Sequence, residues 1–246
     1  MIIVFPMAGQ SKRFRSVGYA QHKYKLLLDG KSVFQYAVNS FKNYFTDHKF
    51  LFVHRDNQGI KDFVINECNK IGLKHPLTVS LSRETRGQAE TVWLGLKNLK
   101  LYKKEPLTIF NIDTFRNNFT FPSHFDLDKI DGYLEVFYGE GSNWSFVLPS
   151  VDGELYVKKT AEKVQISNLC STGLYYFKEI NEFNDAFYRL RADNAEGELY
   201  VAPLYNYLIA RGKSILFHEV PRNTVTFCGT PEEYELLKQK LADADD

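Results

Sequence analysis

The chain has little cysteine: three residues in 246, Cys68, Cys170 and Cys228, far apart and never in close pairs. That excludes a disulfide framework and a cysteine zinc site, and makes the three thiols core residues of a cytoplasmic protein. Long apolar runs are missing too. Lys, Arg, Asp or Glu interrupts each one before the roughly 20 residues that cross a bilayer, so no membrane insertion is expected. The opening Met1-Ile2-Ile3-Val4-Phe5 stops at Pro6, with no basic segment before it and no small-residue cleavage site after it. It reads as a buried strand, not a signal peptide. Charge of one sign is not in excess: 31 basic against 30 acidic residues give +1. A nucleic-acid partner, which needs a basic footprint, is therefore not expected. The six histidines show no His-x-x-x-His spacing, which leaves them structural or surface residues. Repeats and low-complexity linkers are absent, and one domain spanning 1–246 is ordinary at this length.

What is present is an alternation of short β-branched or aromatic runs with segments of helical period, the pattern of a layered α/β fold with a largely parallel sheet. The first run covers 2–5. Val33, Phe34, Ala37, Val38, Phe41, Tyr44 and Phe45 predict an amphipathic helix over 33–45. A strand follows at 49–54, then a helix with Ile60, Phe63, Val64, Cys68 and Ile71 on one stripe, ending at Gly72. A strand at 77–81 leads through Arg83-Glu84-Thr85-Arg86-Gly87 into a helix carrying Ala89, Val92, Trp93, Leu96 and Leu99; the next strand, 107–112, delivers Asp113 at its end. In open α/β sheets ligands collect at the carboxyl ends of strands, and the loop after Phe5, the Gly87 turn and Asp113 all reach that edge. Residues 131–177 read as strands without regular helices, added antiparallel strands over the site. A helix is predicted over 199–210. Thr230-Pro231-Glu232-Glu233 combines a cap, a first-turn proline and acids, and starts a C-terminal helix.

Ala8-Gly9-Gln10-Ser11 is a small-residue turn through which backbone N–H groups can face a phosphate. Arg13 would add a cationic fork and Lys23 a point charge, both suited to polyphosphate oxygens. Alone, these features equally describe a solvated surface loop.

In shared order, several stretches resemble the sugar-phosphate nucleotidyltransferase family, the pyrophosphorylases that make nucleotide sugars and related CDP-linked compounds. Met7 to Phe14 is similar to the family's Gly-x-Gly-Ser/Thr-Arg loop, His22-Lys23-Tyr24-Lys25-Leu26 to Pro-Lys-x-Leu, and Gly30-Lys31-Ser32 to Gly-Lys-Pro. Gly87-Gln88-Ala89-Glu90 resembles the Gly-Thr-Ala-x turn, and Asn111-Ile112-Asp113 the segment whose aspartate binds magnesium. Glu162-Lys163 matches Glu-Lys-Pro, and Ser171-Thr172-Gly173-Leu174-Tyr175 the Thr-Gly-x-Tyr strand. Gly197-Glu198-Leu199 matches Gly-Glu-Leu-Glu, and Gly229 to Tyr234 the Gly-Thr-Pro-Glu-Asp helix start. Three departures stand out. Ser11 replaces the loop's second glycine, His22 replaces the proline before the key lysine, and Phe227 occupies the position of a second metal-binding aspartate.

The resemblance implies a Rossmann-like three-layer α/β sandwich with a mostly parallel central sheet. Residues 1–115 would form the nucleotide-binding half, 116–228 the acceptor-binding half and 229–246 the C-terminal helix. It implies an enzyme in which an acceptor phosphate attacks the α-phosphorus of a nucleoside triphosphate and pyrophosphate leaves in line. Arg13, Lys23 and Asp113 would be catalytic, Asp113 as the Mg2+ ligand. Ala8, Gly9, Ser11, Gly87 and Gln88 would hold the nucleotide, a pyrimidine triphosphate with CTP or UTP favoured. Lys163, Gly173, Glu198 and Trp144 would hold a phosphorylated sugar or alcohol, for surface-polysaccharide (capsule-type) precursors. A homo-oligomer is compatible with the sequence. Plainer readings stand beside these: Asp113 as a turn or cap residue, Gln88 as a helix cap, Lys163 and Glu198 as solvated charges, Trp144 as core. Two rival functions are a glycosyltransferase of similar architecture, although its usual Asp-x-Asp is missing at Asp113-Thr114-Phe115, and a nucleotide-binding domain without turnover.

Overall fold

The computed structural model describes residues 1–56, 59–101, 103–151 and 154–243. Its first elements are β1 (Ile2–Met7), the short α1 (Lys12–Ser16), the β2 and β3 hairpin (Leu27–Leu28, Lys31–Ser32), α2 (Val33–Asn39), β4 (Lys49–Arg55), α3 (Ile60–Ile71), β5 (Leu77–Leu81), α4 (Gln88–Leu99) and β6 (Leu107–Phe110). Then come β7 (Thr114–Arg116), β8 (Gly132–Tyr138), β9 (Ser145–Pro149), β10 (Val157–Glu162), β11 (Leu169–Phe177), α5 (Ile180–Asp193), α6 (Leu204–Ile209), β12 (Ile215–Glu219), β13 (Val225–Phe227) and α7 (Pro231–Ala242).

One nine-stranded sheet organises the chain. Its centre is parallel, in the order β6-β1-β4-β5. Successive residues of β1 alternate between faces: Ile2 and Val4 pack into a core with Val92, Trp93 and Phe187, whereas Ile3 and Phe5 join Phe34, Phe41, Val64 and Tyr234. Both faces of the sheet are therefore covered, by α4, α5 and α6 on one side and α2, α3 and α7 on the other, which makes three layers. The chain crosses from β1 outward to β4 and β5, then returns to place β6 on the other flank of β1. This reversal opens a crevice beyond the carboxyl ends of β1 and β6.

The expected antiparallel strands are added to one flank of the parallel sheet. β11 bonds antiparallel to β6, β8 and β9 pair antiparallel with β11, β10 pairs antiparallel with β9, and β12 joins β8 in parallel, because unsatisfied β6 backbone groups need a partner on that flank. The predicted helix over 33–45 ends earlier, at Asn39. A 3-10 turn over Lys42–Tyr44 carries its apolar face onward, with Phe41 packed on Phe110 and Phe119. The predicted helix over 199–210 is confined to α6 behind Pro203; Leu199 bonds across the Gly87 turn, as described below, and 201–203 form a bend and turn leading into the helix. Within the predicted C-terminal helix, Thr230 and Glu233 make the reciprocal capping box; residues 244–246 lie outside the described residues.

Candidate active site

A cavity of about 910 Å³ fills the crevice at the carboxyl edge. The loop leaving β1 forms its floor. Ser11 adopts the left-handed conformation, φ +53°, and its Oγ accepts a hydrogen bond from the Lys23 backbone N–H at 3.1 Å. A serine thus holds a turn that glycine would adopt more freely, and its side chain locks the lysine segment to the loop. His22 lies at φ −63°, the value a proline ring would impose, and its imidazole stacks on Tyr24 at 5.1 Å. Stacking thereby supplies a restraint where the ring is missing. Lys23 Nζ pairs with Asp113 Oδ2, and both side chains are mostly buried. Arg13 stands exposed on the same wall.

Asp113 directly precedes β7, which pairs with β13 in a small ribbon where Thr114 opposes Phe227. The Cys228 N–H donates to the Asp113 carbonyl at 2.8 Å, fixing the backbone from which the carboxylate projects. Phe227 packs against Trp144 at 4.7 Å and Phe137 at 5.2 Å, with the Arg222 guanidinium 4.8 Å from its ring centre. The place where the family resemblance puts a second carboxylate is an aromatic wall. Glu233 is spent on capping, its Oε2 taking the Gly229 and Thr230 N–H groups at 2.8 and 3.0 Å. Among the described residues no group of three or more His, Cys, Asp or Glu could hold a metal ion by itself.

Opposite the loop, Gln88 Nε2 donates to Asn111 Oδ1, and Asn111 N–H donates to the Gly173 carbonyl at 3.2 Å. Gly173 sits in a bulge of β11, where the register with β8 shifts between Ser171 and Tyr175. Its φ of +92° and the 2.2 Å between a notional Cβ and Asn111 Nδ2 require glycine. Gly87 is held as tightly, with φ +130° and a notional Cβ 2.6 Å from the Leu199 carbonyl. On the far side, Glu162 accepts from Ser145 Oγ. Burial pushes its carboxyl above the ordinary range, while Ser145 and Lys163 oppose the rise.

Of the residues singled out from sequence, Ala8, Gly9, Ser11, Arg13, Lys23, Gly87, Gln88, Asp113, Trp144, Gly173 and Glu198 line this single cavity. Lys163 does not. It takes the left-handed conformation, φ +57°, and turns its ammonium onto the Tyr200 ring, 4.6 Å from the centre, and toward Glu198 Oε2 at 3.8 Å. Asn111, Arg86 and Tyr200 line the cavity as well, without a site role expected from the sequence. Asn111 had a signal in its place at a strand end; Arg86 and Tyr200 are placed by contacts between distant segments that no local pattern marks.

The nucleoside-diphosphate-sugar pyrophosphorylase of Vibrio cholerae RC9 is 45% identical to this chain and superposes with a TM-score of 0.90, covering 96% of this chain and 99% of its own. The inositol-1-phosphate CTP transferase of T. maritima (17% identity, TM-score 0.76, 98% of this chain and 95% of its own) shares the fold. So does a UDP-glucose pyrophosphorylase solved with UDP-glucose (15%, 0.73, 99% and 98%). No protein-family model and no curated protein matches the sequence. At the identity and coverage of the Vibrio protein, the chain belongs to the nucleoside-diphosphate-sugar pyrophosphorylases, a family of nucleotidyltransferases.

Proposed function

We propose that this nucleotidyltransferase uses Mg2+ and a pyrimidine nucleoside triphosphate, CTP or UTP favoured. It would join the nucleoside monophosphate to a small sugar phosphate or alcohol phosphate and release pyrophosphate, in the cytoplasm, for surface-polysaccharide precursors. The observation that carries this reading is the segregation of charge around one crevice. Lys12, Arg13, Lys23, Arg55 and Arg86 line it from the first half of the chain, together with Glu84, which pairs with Arg55 at 3.1 Å and leaves that half with an excess of cations. The lining residues from Asp113 onward include no Lys or Arg, but Glu140, Glu162 and Glu198, hydroxyls and aromatic faces. A triphosphate suits the basic side. Hydroxyls of an acceptor suit carboxylates that accept hydrogen bonds. Residues 1–115 would thus serve the nucleotide and 116–228 the acceptor, with α7 as the C-terminal helix that follows.

Asp113 would hold the magnesium. One carboxylate fits an ion that keeps water and phosphate oxygens for its other positions, so Phe227 is compatible with it. The bound ion would supply charge neutralisation at the phosphates. The chain's own residues do the rest. The Lys23–Asp113 pair keeps both side chains at the crevice until phosphate oxygens engage Lys23 and leave the carboxylate free. Arg13 and Lys23 stabilise the leaving pyrophosphate, the loop N–H groups of Gly9 and Ser11 cradle the triphosphate, and Gln88 reads the base. Glu198 and Trp144 border the acceptor, and Gly173 lets it approach the sheet closely. Lys163 reaches the acceptor phosphate once it swings from Tyr200 into the cavity. No covalent nucleophile is needed, since positioning and neutralising two anions is the task.

The test is a pyrophosphate-release screen with magnesium, each nucleoside triphosphate, and a panel of sugar phosphates, glycerol phosphate, phosphocholine and phosphorylated amino compounds. Release with a pyrimidine triphosphate and one acceptor class is expected. Silence across the panel, with turnover of a nucleotide sugar instead, sinks the proposal.

A further inference from the structure

The turn that would contact the nucleotide and the loop that would contact the acceptor are stitched together. Leu199 N–H donates to the Arg86 carbonyl at 2.5 Å, and Ala89 N–H to the Leu199 carbonyl at 3.0 Å. The Gly87 backbone lies so close to Leu199 that no side chain fits between them. Arg86 Nη2 donates to the carbonyls of Asn194 and Gly197, at 2.5 and 2.7 Å. The turn end of this clamp is itself anchored. Arg86 N–H donates at 2.6 Å to Glu90, which is 1% exposed, and the other Glu90 oxygen receives Arg83 at 3.0 Å. The loop end is braced by Asn194, which accepts from Gly197 N–H at 2.8 Å and donates to the Glu198 carbonyl at 3.3 Å. Glu198 and Tyr200, which border the acceptor side and hold Lys163, therefore take their position from a guanidinium on the nucleotide side.

Resting on the function proposed above, we infer that Arg86 is a positioning residue that couples the two half-sites: a nucleotide that stiffens the Thr85–Gln88 turn also orders residues 194–200. The guanidinium serves because one terminal nitrogen, Nη2, directs a separate N–H to each of the two carbonyls, donors that an apolar side chain of similar length lacks. Coupling of this kind is reciprocal, so an ordered acceptor loop tightens nucleotide binding by the same factor.

Amide hydrogen exchange tests this without knowledge of the acceptor. Wild-type protein is measured alone and with magnesium plus CTP, UTP or dTTP. A binding nucleotide should slow exchange at 85–91 and also, by about tenfold, at 197–200, within the usual range for coupled sites. Arg86→Met, which removes the donors and keeps the side-chain length, should keep the protection at 85–91 and lose it at 197–200. Asn194→Ala, which alters only the loop end, should do the same, and its melting curve separates a loosened loop from an unfolded chain. Protection confined to the turn in the wild type, or retained across the loop in either variant, overturns the inference alone. A chain that binds none of the three triphosphates overturns the proposed function and the inference with it.

Discussion

Arg116 and Glu135 offer the sharpest quantitative test of how the site is held. Arg116, on β7 three residues past Asp113, makes a two-pronged contact with the fully buried Glu135 of β8: Nε to Oε1 at 2.8 Å and Nη2 to Oε2 at 3.0 Å. Thr172 donates to Oε1 at 3.0 Å, and Arg116 Nη1 donates to the Thr224 carbonyl at 2.8 Å, just before β13. This cluster pins the ribbon carrying Asp113 to the main sheet. Arg116→Met would leave a buried carboxylate without its cation, which costs about 3–5 kcal/mol. For a chain of this size each kcal/mol moves the midpoint by about 2–4 °C, so a fall of roughly 6–20 °C is expected.

The pH dependence has a definite sign. Burial already holds the Glu135 carboxyl above its ordinary value, with Arg116 and Thr172 pulling it down. Loss of Arg116 lets it rise further. A carboxyl raised in the folded state favours folding below its unfolded value and loses that contribution as pH climbs through the folded one. The deficit of the variant relative to wild type should therefore be largest at neutral and alkaline pH, and shrink on acidification toward the carboxylate range. Melting curves of both proteins at matched pH values measure it. Removing both charges, Arg116→Met with Glu135→Leu, should recover much of the loss. A deficit below about 1 kcal/mol at pH 8, where an uncompensated buried charge should cost several, or one that grows on acidification, would show that Arg116 does not neutralise Glu135.

Gly173→Ala should cost about 1–3 kcal/mol, because the residue must leave its left-handed conformation or displace Asn111. Its turnover should fall further than its melting midpoint, since Asn111 also receives Gln88; equal losses would count against the Asn111 link. Lys163→Ala should raise the acceptor KM while leaving triphosphate affinity and the melting curve near wild type. Initial rates against acceptor concentration decide this, and an unchanged KM removes Lys163 from the site.

Much of the parallel half was legible in the sequence because each strand and helix there carries its own period. The predicted strand over 77–81 coincides with β5, and the helix ending at Gly72 ends there. Legibility fell where an element's fate depends on distant residues. Residues 199–203 have helical composition, yet Leu199 bonds to the Arg86 turn, over a hundred positions away, and Pro203 delays the helix. α5 has a period in Ile180, Phe183, Phe187 and Leu190, yet it falls between the strands expected up to 177 and the helix expected from 199, where no element was expected. The same division holds for the cavity. Gly9, Gly87 and Asp113 announce themselves at strand ends, whereas the two cross-chain clamps, Arg86 on Gly197 and Arg116 on Glu135, exist only after folding. Of the departures from the family pattern, Ser11 and His22 keep the backbone geometry the family residues would give, and Phe227 replaces a carboxylate with an aromatic wall.

We propose that Asp113 serves magnesium-dependent nucleotidyl transfer at the carboxyl edge of the sheet. Pyrophosphate release by wild type and Asp113→Asn, with magnesium and the triphosphate and acceptor identified in the screen, tests it most directly. A loss on the order of a hundredfold or more in turnover is expected, with an unchanged melting curve. Turnover near wild type in Asp113→Asn would contradict it.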